Sequence, residues 1–285
     1  MSHRHHLRFP FLEKLPRVVV WLLLLIGGIA FLSPLYLMLA IALKTPWELA
    51  ITSSWQWPKH PTFDNFITVL TNPNVSFLLF FKNSVVISTL TTLGVVLSSS
   101  FVAYPFARLN FRGKDRLFIL LLSTMMLPNI VTLIPTYVIY KHLQWVNTFY
   151  PLILPSFFGD AFSIFLLCQF FKNIPKEIDE AAMIDGASHW TIFWKMILPL
   201  SKPVLTTVMV FAFIYSWRDF LGPLIYLNDP EKQTLELGLR TYQNLHFEQW
   251  HLLMAGSVLV MIPILVIFAV GQRYFIKGIV MTGFK

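Results

Sequence analysis

Six stretches of about twenty apolar residues each decide what this chain can become. They fall at 18–43, 84–106, 117–140, 149–171, 203–227 and 252–270, and carry only three charged side chains, Asp160, Arg218 and Asp219. A helix needs about 20 such residues to cross the hydrocarbon core of a bilayer, and there only helices and closed barrels satisfy every backbone polar group. Charged residues are 13% of the chain, about half the share usual in soluble domains. No intervening stretch is long and polar enough to fold alone. The expectation is an all-α membrane protein, one domain of six transmembrane helices over 18–271, with tails at 1–17 and 272–285.

A formal charge of +8 invites comparison with nucleic-acid binders, but the placement of the charge argues for a membrane. With the first tail inside, fifteen of the 22 Lys and Arg residues fall on that side, in 1–17, 107–116, 172–202 and 272–285. That asymmetry is the positive-inside pattern, and it puts both termini in the cytoplasm. The first apolar run is longer than a signal-peptide core and lacks a small-x-small cleavage site, so it reads as an uncleaved helix. Cys168, the single cysteine, lies within a span, which rules out an intrachain disulfide and a cysteine metal cluster.

The longest non-spanning stretch, 44–83, holds Trp55, Trp57 and Phe66 among prolines, which suggests turns and a short helix at the membrane surface. Pro128, Pro135, Pro151, Pro155, Pro223 and Pro263 lie inside spans. Such prolines bend helices where neighbours or a water-lined cavity accept the freed carbonyls, although they are common in spanning helices generally.

Residues 172–202 form a water-compatible segment between the fourth and fifth runs. Pro175, followed by Glu177, Asp179 and Glu180, suits the positive start of a helix. Ala181 and Ala182 allow close approach of a partner. Gly186 can adopt the left-handed conformation that ends a helix. Trp190, Ile192, Phe193, Met196 and Ile197 give a second amphipathic run, closed by Leu198 and Pro199. Such a projection suits docking into a partner's groove, or equally lying on lipid.

The identities Glu180, Ala181, Ala182, Asp185, Gly186, Leu198 and Pro199 at this spacing resemble the EAA coupling loop of permease subunits of bacterial ABC importers. The likeness extends to Phe165 to Phe171, Pro199 to Pro203, Pro61 to Phe66, Asn83-Ser84, Thr132 to Tyr137, the stretch from Trp217 to Leu224, and Gln272 to Phe275. These resemble carbohydrate permeases of the maltose, glycerol-phosphate and multiple-sugar group, in particular the smaller six-helix partner. Met196, Cys168 and Arg218 depart from the residues common there, the last often being Asn.

The resemblance implies a type I ABC-importer permease fold in the cytoplasmic (inner) membrane of a prokaryote. It implies alternating access, a second permease chain, two ATP-binding subunits and an extracytoplasmic solute-binding protein. ATP and Mg would be used by the partner ATPase. This chain lacks a phosphate-binding loop, since Gly113-Lys114 runs into Asp115 without an earlier Gly or a following Ser or Thr. The 278–285 tail is a candidate for contact with the ATPase.

For the substrate pathway the candidates are Asp160, Tyr215, Trp217, Arg218, Asp219 and Asn129. Charges at such depth face a cavity or pair with each other. Sugar hydroxyls would bond the polar groups, with Tyr215 or Trp217 offering an aromatic face; a structural ion pair or contact with the partner permease reads equally from the residues. Two other classes stay in view. A permease for amino acids, peptides or phosphate would share the loop, and an intramembrane enzyme would need a nucleophile–base or carboxylate pair that the sequence does not assemble.

Overall fold

The computed structural model describes residues 17–72, 76–243 and 249–282, with the side chains of 243 and 273–282 excepted. Residues 1–16 of the first tail, the side chains of the Gln272 to Phe275 motif beyond its first residue and those of the rest of the last tail therefore lie outside the described residues. Among the described residues every regular element is helical.

Four stretches are long and apolar enough to cross a membrane: α1 (Arg17–Ala42), α4 (Phe77–Arg108), the run Tyr150–Asn173 and the first 23 residues of α15 (Trp250–Thr282). Two bent pairs bring the number to as many as six. α5 (Lys114–Thr124) meets α6 (Asn129–His142) at 94°. The segment His189–Leu200 meets α12 (Lys202–Trp217) at 77°.

The break between α5 and α6 falls at Pro128, one of the prolines expected to bend the third run, and it is a sharp change of direction. Met125, Met126 and Leu127 close tight i−3 turns on Leu122, Ser123 and Thr124. Pro128 then lacks an N–H and disfavours helix in the residue before it, so the chain restarts in a new direction. The fourth run is interrupted as well. α7 (Tyr150–Ile153) passes into a 3₁₀ turn, Leu154–Phe158, and α8 (Ala161–Asn173) begins only after Gly159. Gly159 has φ +99°, a conformation that requires glycine.

The segment 44–76 holds two short helices, α2 (Pro46–Ile51) and α3 (Asp64–Thr71), and α4 starts seven residues ahead of the expected 84. Thr45 caps α2 through the Glu48 N–H at 3.2 Å. Asn65 donates to the carbonyls of Ala42 and Lys44 at 2.8 and 2.7 Å, which ties α3 to the end of α1.

α4 is the centre of the bundle, packed against α8 and α12, while α12 also packs against α15 and α15 against α1. Two apolar cores divide the length. One joins Ala103, Tyr104, Leu167, Phe171 and Val208 to Ala182, Ile192, Phe193 and Ile197 of the 172–202 segment. The other, at the opposite end, joins Phe77, Phe80 and Trp217 to Leu235, Leu253 and Val260.

Candidate functional site

The 172–202 segment is built as a helix, a sharp reversal and a second helix. α9 (Glu177–Ile184) places Glu177, Asp179 and Glu180 in its first turn, where carboxylates complement the helix dipole. Its far end closes with two bonds of a Schellman cap: Gly186 N–H to Met183 O at 3.0 Å and Ala187 N–H to Ala182 O at 2.9 Å. Gly186 stands at φ +81° with nothing within 4 Å of the position a Cβ would take. Ser188 then caps α10 (His189–Ile192) by accepting from Thr191 N–H at 3.2 Å.

Burial sorts the residues of this segment into two faces. Ala182, Ile192, Phe193 and Ile197 insert into the core, so the projection is seated on the bundle. Glu180, Ala181, Met183, Asp185 and Gly186 are exposed, and Ile184 is 87% exposed at the tip. A π-helical turn, Phe193–Ile197, leads to α11 (Leu198–Leu200), where Pro199 has no N–H to give and the chain bends into α12. The sequence-predicted loop residues thus share one projection, with Leu198 and Pro199 at its foot, Ala182 in the core and Glu180, Ala181, Asp185 and Gly186 exposed.

Near the opposite end, α4, α7, α12 and the turn after α12 enclose a cavity of about 50 Å³. Ser84, Ser88 and Thr91 of α4, Tyr215 and Ser216 of α12, Asp219 and Thr234 line it. Asp219 accepts the Gly222 N–H at 3.0 Å and so starts α13 (Leu221–Tyr226). Thr91 donates to Leu152 O at 3.1 Å, and Ser84 accepts the Leu235 N–H at 2.9 Å. Among the described residues the buried hydroxyls of Ser88 and Thr234 have no hydrogen-bond partner. A buried hydroxyl without a partner costs about 1–3 kcal/mol, so this wall is suited to water or a ligand hydroxyl.

Three of the six pathway candidates gather here. Tyr215 is 71% exposed, its hydroxyl 3.5 Å from Asn129 Nδ2, and it lies within electrostatic reach of both Asp219 and Asp160. The remaining three are placed differently. Trp217 is 2% exposed, donates its indole N–H to Val260 O at 3.1 Å and stacks on Phe213, so it offers no open aromatic face. Asp160 caps α8, accepting the Ser163 N–H at 2.8 Å. Arg218 is exposed, and among the described residues no ion pair joins it to Asp160 or Asp219.

Arg218 acts instead on Glu236 of α14 (Leu235–Leu239). Burial raises the Glu236 carboxyl above its ordinary range, and the nearby guanidinium partly offsets that shift. Glu236, Arg240 and Ser257 line a second, more open cavity of about 230 Å³. The hydroxyls of α4 were missed from the sequence, where Ser and Thr in a spanning run give no sign of which side they face. The Asn83-Ser84 pair gave the available signal: Asn83 Nδ2 donates to the carbonyls of Glu231 and Gln233, both at 2.9 Å, beside the Ser84 contact.

An all-helical bundle of membrane-spanning length, with a seated helical projection at one end and a hydroxyl-lined cavity near the other, defines a membrane permease subunit. Residues 94–280 match the family described as binding-protein-dependent transport system inner membrane component, and the chain belongs to that family. Among its relatives is a probable ABC transporter permease protein of Pyrococcus horikoshii, 34% identical over 93% of this chain and 95% of its own. The arabinooligosaccharides transport system permease protein AraQ of Halalkalibacterium halodurans is 34% identical over 96% and 99%. The trehalose/maltose transport system permease protein MalG of Thermococcus litoralis is 34% identical over 79% and 81%. The fold is that of a chain in the crystal structure of a bacterial ABC transporter involved in the import of the acidic polysaccharide alginate, with a TM-score of 0.79, 24% identity and coverage of 96% and 99%.

Proposed function

We propose that this chain is the membrane-spanning subunit of an ATP-driven sugar importer, forming half of the translocation pathway by alternating access. It crosses the inner membrane of a prokaryote six times, each bent pair making one crossing, with both termini and the 172–202 segment in the cytoplasm. A second permease chain supplies the other half. Two ATP-binding subunits hold ATP and Mg, and an extracytoplasmic solute-binding protein delivers the sugar. ATP hydrolysis falls to the partner subunits: at Gly113-Lys114 the lysine ammonium bonds the Leu109 carbonyl at 2.9 Å, and the motif needed to cradle phosphate is missing from the sequence.

The observation that carries the reading is the capped projection. Glu180, Ala181, Asp185, Gly186 and the apolar tip at Ile184 are exposed together while Ala182 and the second limb are anchored in the core. That geometry suits a helix seated in a groove of the ATPase. Leu198 and Pro199 form the foot on which the projection swings. Sugar, rather than another solute, is favoured by relatives named for arabino-oligosaccharides and for trehalose and maltose. Asn129, Tyr215 and Asp219, joined by Ser88 and Thr234, form this chain's wall of the pathway.

ATP-dependent uptake of radiolabelled maltose and arabino-oligosaccharides into vesicles holding the complete transporter tests the reading. Glu180→Lys and Gly186→Pro are expected to abolish uptake while the ATPase still copurifies. Normal uptake with both variants would sink it.

A further inference from the structure

We infer that Arg108 is a positioning residue that locks the 172–202 projection to α4, so that a stroke on the projection moves α4 as a rod. The inference rests on the coupling role proposed above. Arg108 is the last residue of α4 and its side chain is 1% exposed. Its Nη2 donates to Asp179 Oδ1 at 3.0 Å, and its Nε lies 2.9 Å from Oδ2 as a close ion-pair contact without hydrogen-bond alignment. Nη1 and Nη2 also donate to the carbonyls of Ile174 and Pro175 at 2.8 and 3.2 Å. One planar guanidinium therefore fixes both the turn that enters α9 and the residue next to Glu180. The five fixed donors of arginine make that possible and a lysine ammonium cannot reproduce it.

The second limb of the projection is held by the same end of α4. Tyr104, one turn before Arg108, packs on Phe193 with ring centroids 5.2 Å apart, and Phe101 packs on Phe193 and Trp190. Toward its other end α4 holds the segment 231–235 through Asn83 and Ser84, and between the two ends it sets Ser88 and Thr91 into the cavity.

α4 is also the central helix that runs unbroken between the two regions. Its 32 residues span about 48 Å, with its one proline, Pro105, in the last turn. The fourth run breaks at Gly159, and α12 is bent at its start and ends at Trp217. A continuous hydrogen-bonded helix carries displacement from end to end, whereas breaks absorb it as hinges. Arg108 is thus the joint through which ATPase movement reaches the cavity wall.

The test uses the complete transporter in lipid nanodiscs, with Cys168→Ala as background and Ser88→Cys as reporter. The rate of maleimide labelling at 88 is compared in ATP and in ADP, alongside ATP hydrolysis. In this background ATP should change labelling about tenfold, within the usual range for coupling between sites. Arg108→Gln and Asp179→Asn should each remove that ATP dependence while hydrolysis continues. The exchange Arg108→Asp with Asp179→Arg should restore much of it. Arg108→Lys keeps the charge and the assembly; should the neutral variants not assemble, its weakened ATP dependence decides. Full ATP dependence in Arg108→Lys and in whichever neutral variants assemble would overturn the inference. Glu180→Lys separates the two levels. If it uncouples labelling while the Arg108 variants do not, only the role of Arg108 falls; if neither uncouples, the coupling reading itself falls.

Discussion

Gly186 shows how one residue sets the direction of a functional element. Its φ of +81° closes the Schellman cap that turns the chain from α9 toward Ser188, and the space around it is open. A side chain there meets no neighbour, so the effect of substitution is conformational: an L residue in the left-handed region costs about 1–2 kcal/mol. Gly186→Ala should therefore leave the protein folded but speed hydrogen exchange of the amides of Gly186 and Ala187, whose bonds to Met183 and Ala182 form the cap. Unchanged exchange at those amides would mean the cap is not what orders the tip. Asp160 gives the complementary case, a charge deep in the bundle whose oxygen accepts the Ser163 N–H. Removing a cap costs about 1 kcal/mol, and serine caps as well as aspartate does. Asp160→Ser should keep sugar uptake near wild type and Asp160→Ala should lower the thermal midpoint. Loss of uptake in both, with stability intact, would make Asp160 a ligand for sugar.

The elements explain which parts of the architecture could be read from the chain. Apolar length announces α1, α4 and α15 because a bilayer admits little else. The interruptions were legible in part: Pro128 and Pro155 mark bends but not their size, since such prolines are common in spanning helices, and nothing in the run around Gly159 marks its backbone as left-handed. What the fourth run does in place of a straight helix is press its 3₁₀ turn on α4 at Gly94. A Cβ at Gly94 would run into Ser156 and Phe157. Overpacking of this kind costs about 1–3 kcal/mol, so Gly94→Val should lower the thermal midpoint of the purified protein by several degrees. A paired Phe157→Ala should return part of the loss if the clash is the cause. No change in midpoint with Gly94→Val alone would show that the contact yields freely.

At the scale of the whole molecule, the 172–202 projection stood out because the family resemblance rests on fixed identities at fixed spacing, from Glu180 to Pro199. The cavity was half legible, since charged and aromatic residues such as Asp219 and Tyr215 stand out in an apolar run and Ser88 and Thr234 do not. Arg108 was counted only as one more basic residue near the membrane, because the sequence gives no hint that it is buried on Asp179 seventy-one positions away. That charge count still carries the orientation, which can be tested directly. Loops rich in Lys and Arg stay in the cytoplasm, so the end bearing the projection and the end bearing 44–76 must face opposite compartments. Lys176 and Gln56 are exposed at those two ends. In a Cys168→Ala background, Gln56→Cys should be labelled by an impermeant maleimide added to intact spheroplasts, and Lys176→Cys only after the membrane is opened. Labelling of both in intact spheroplasts would give an even number of crossings between residues 56 and 176 and would place the projection away from any cytoplasmic ATPase.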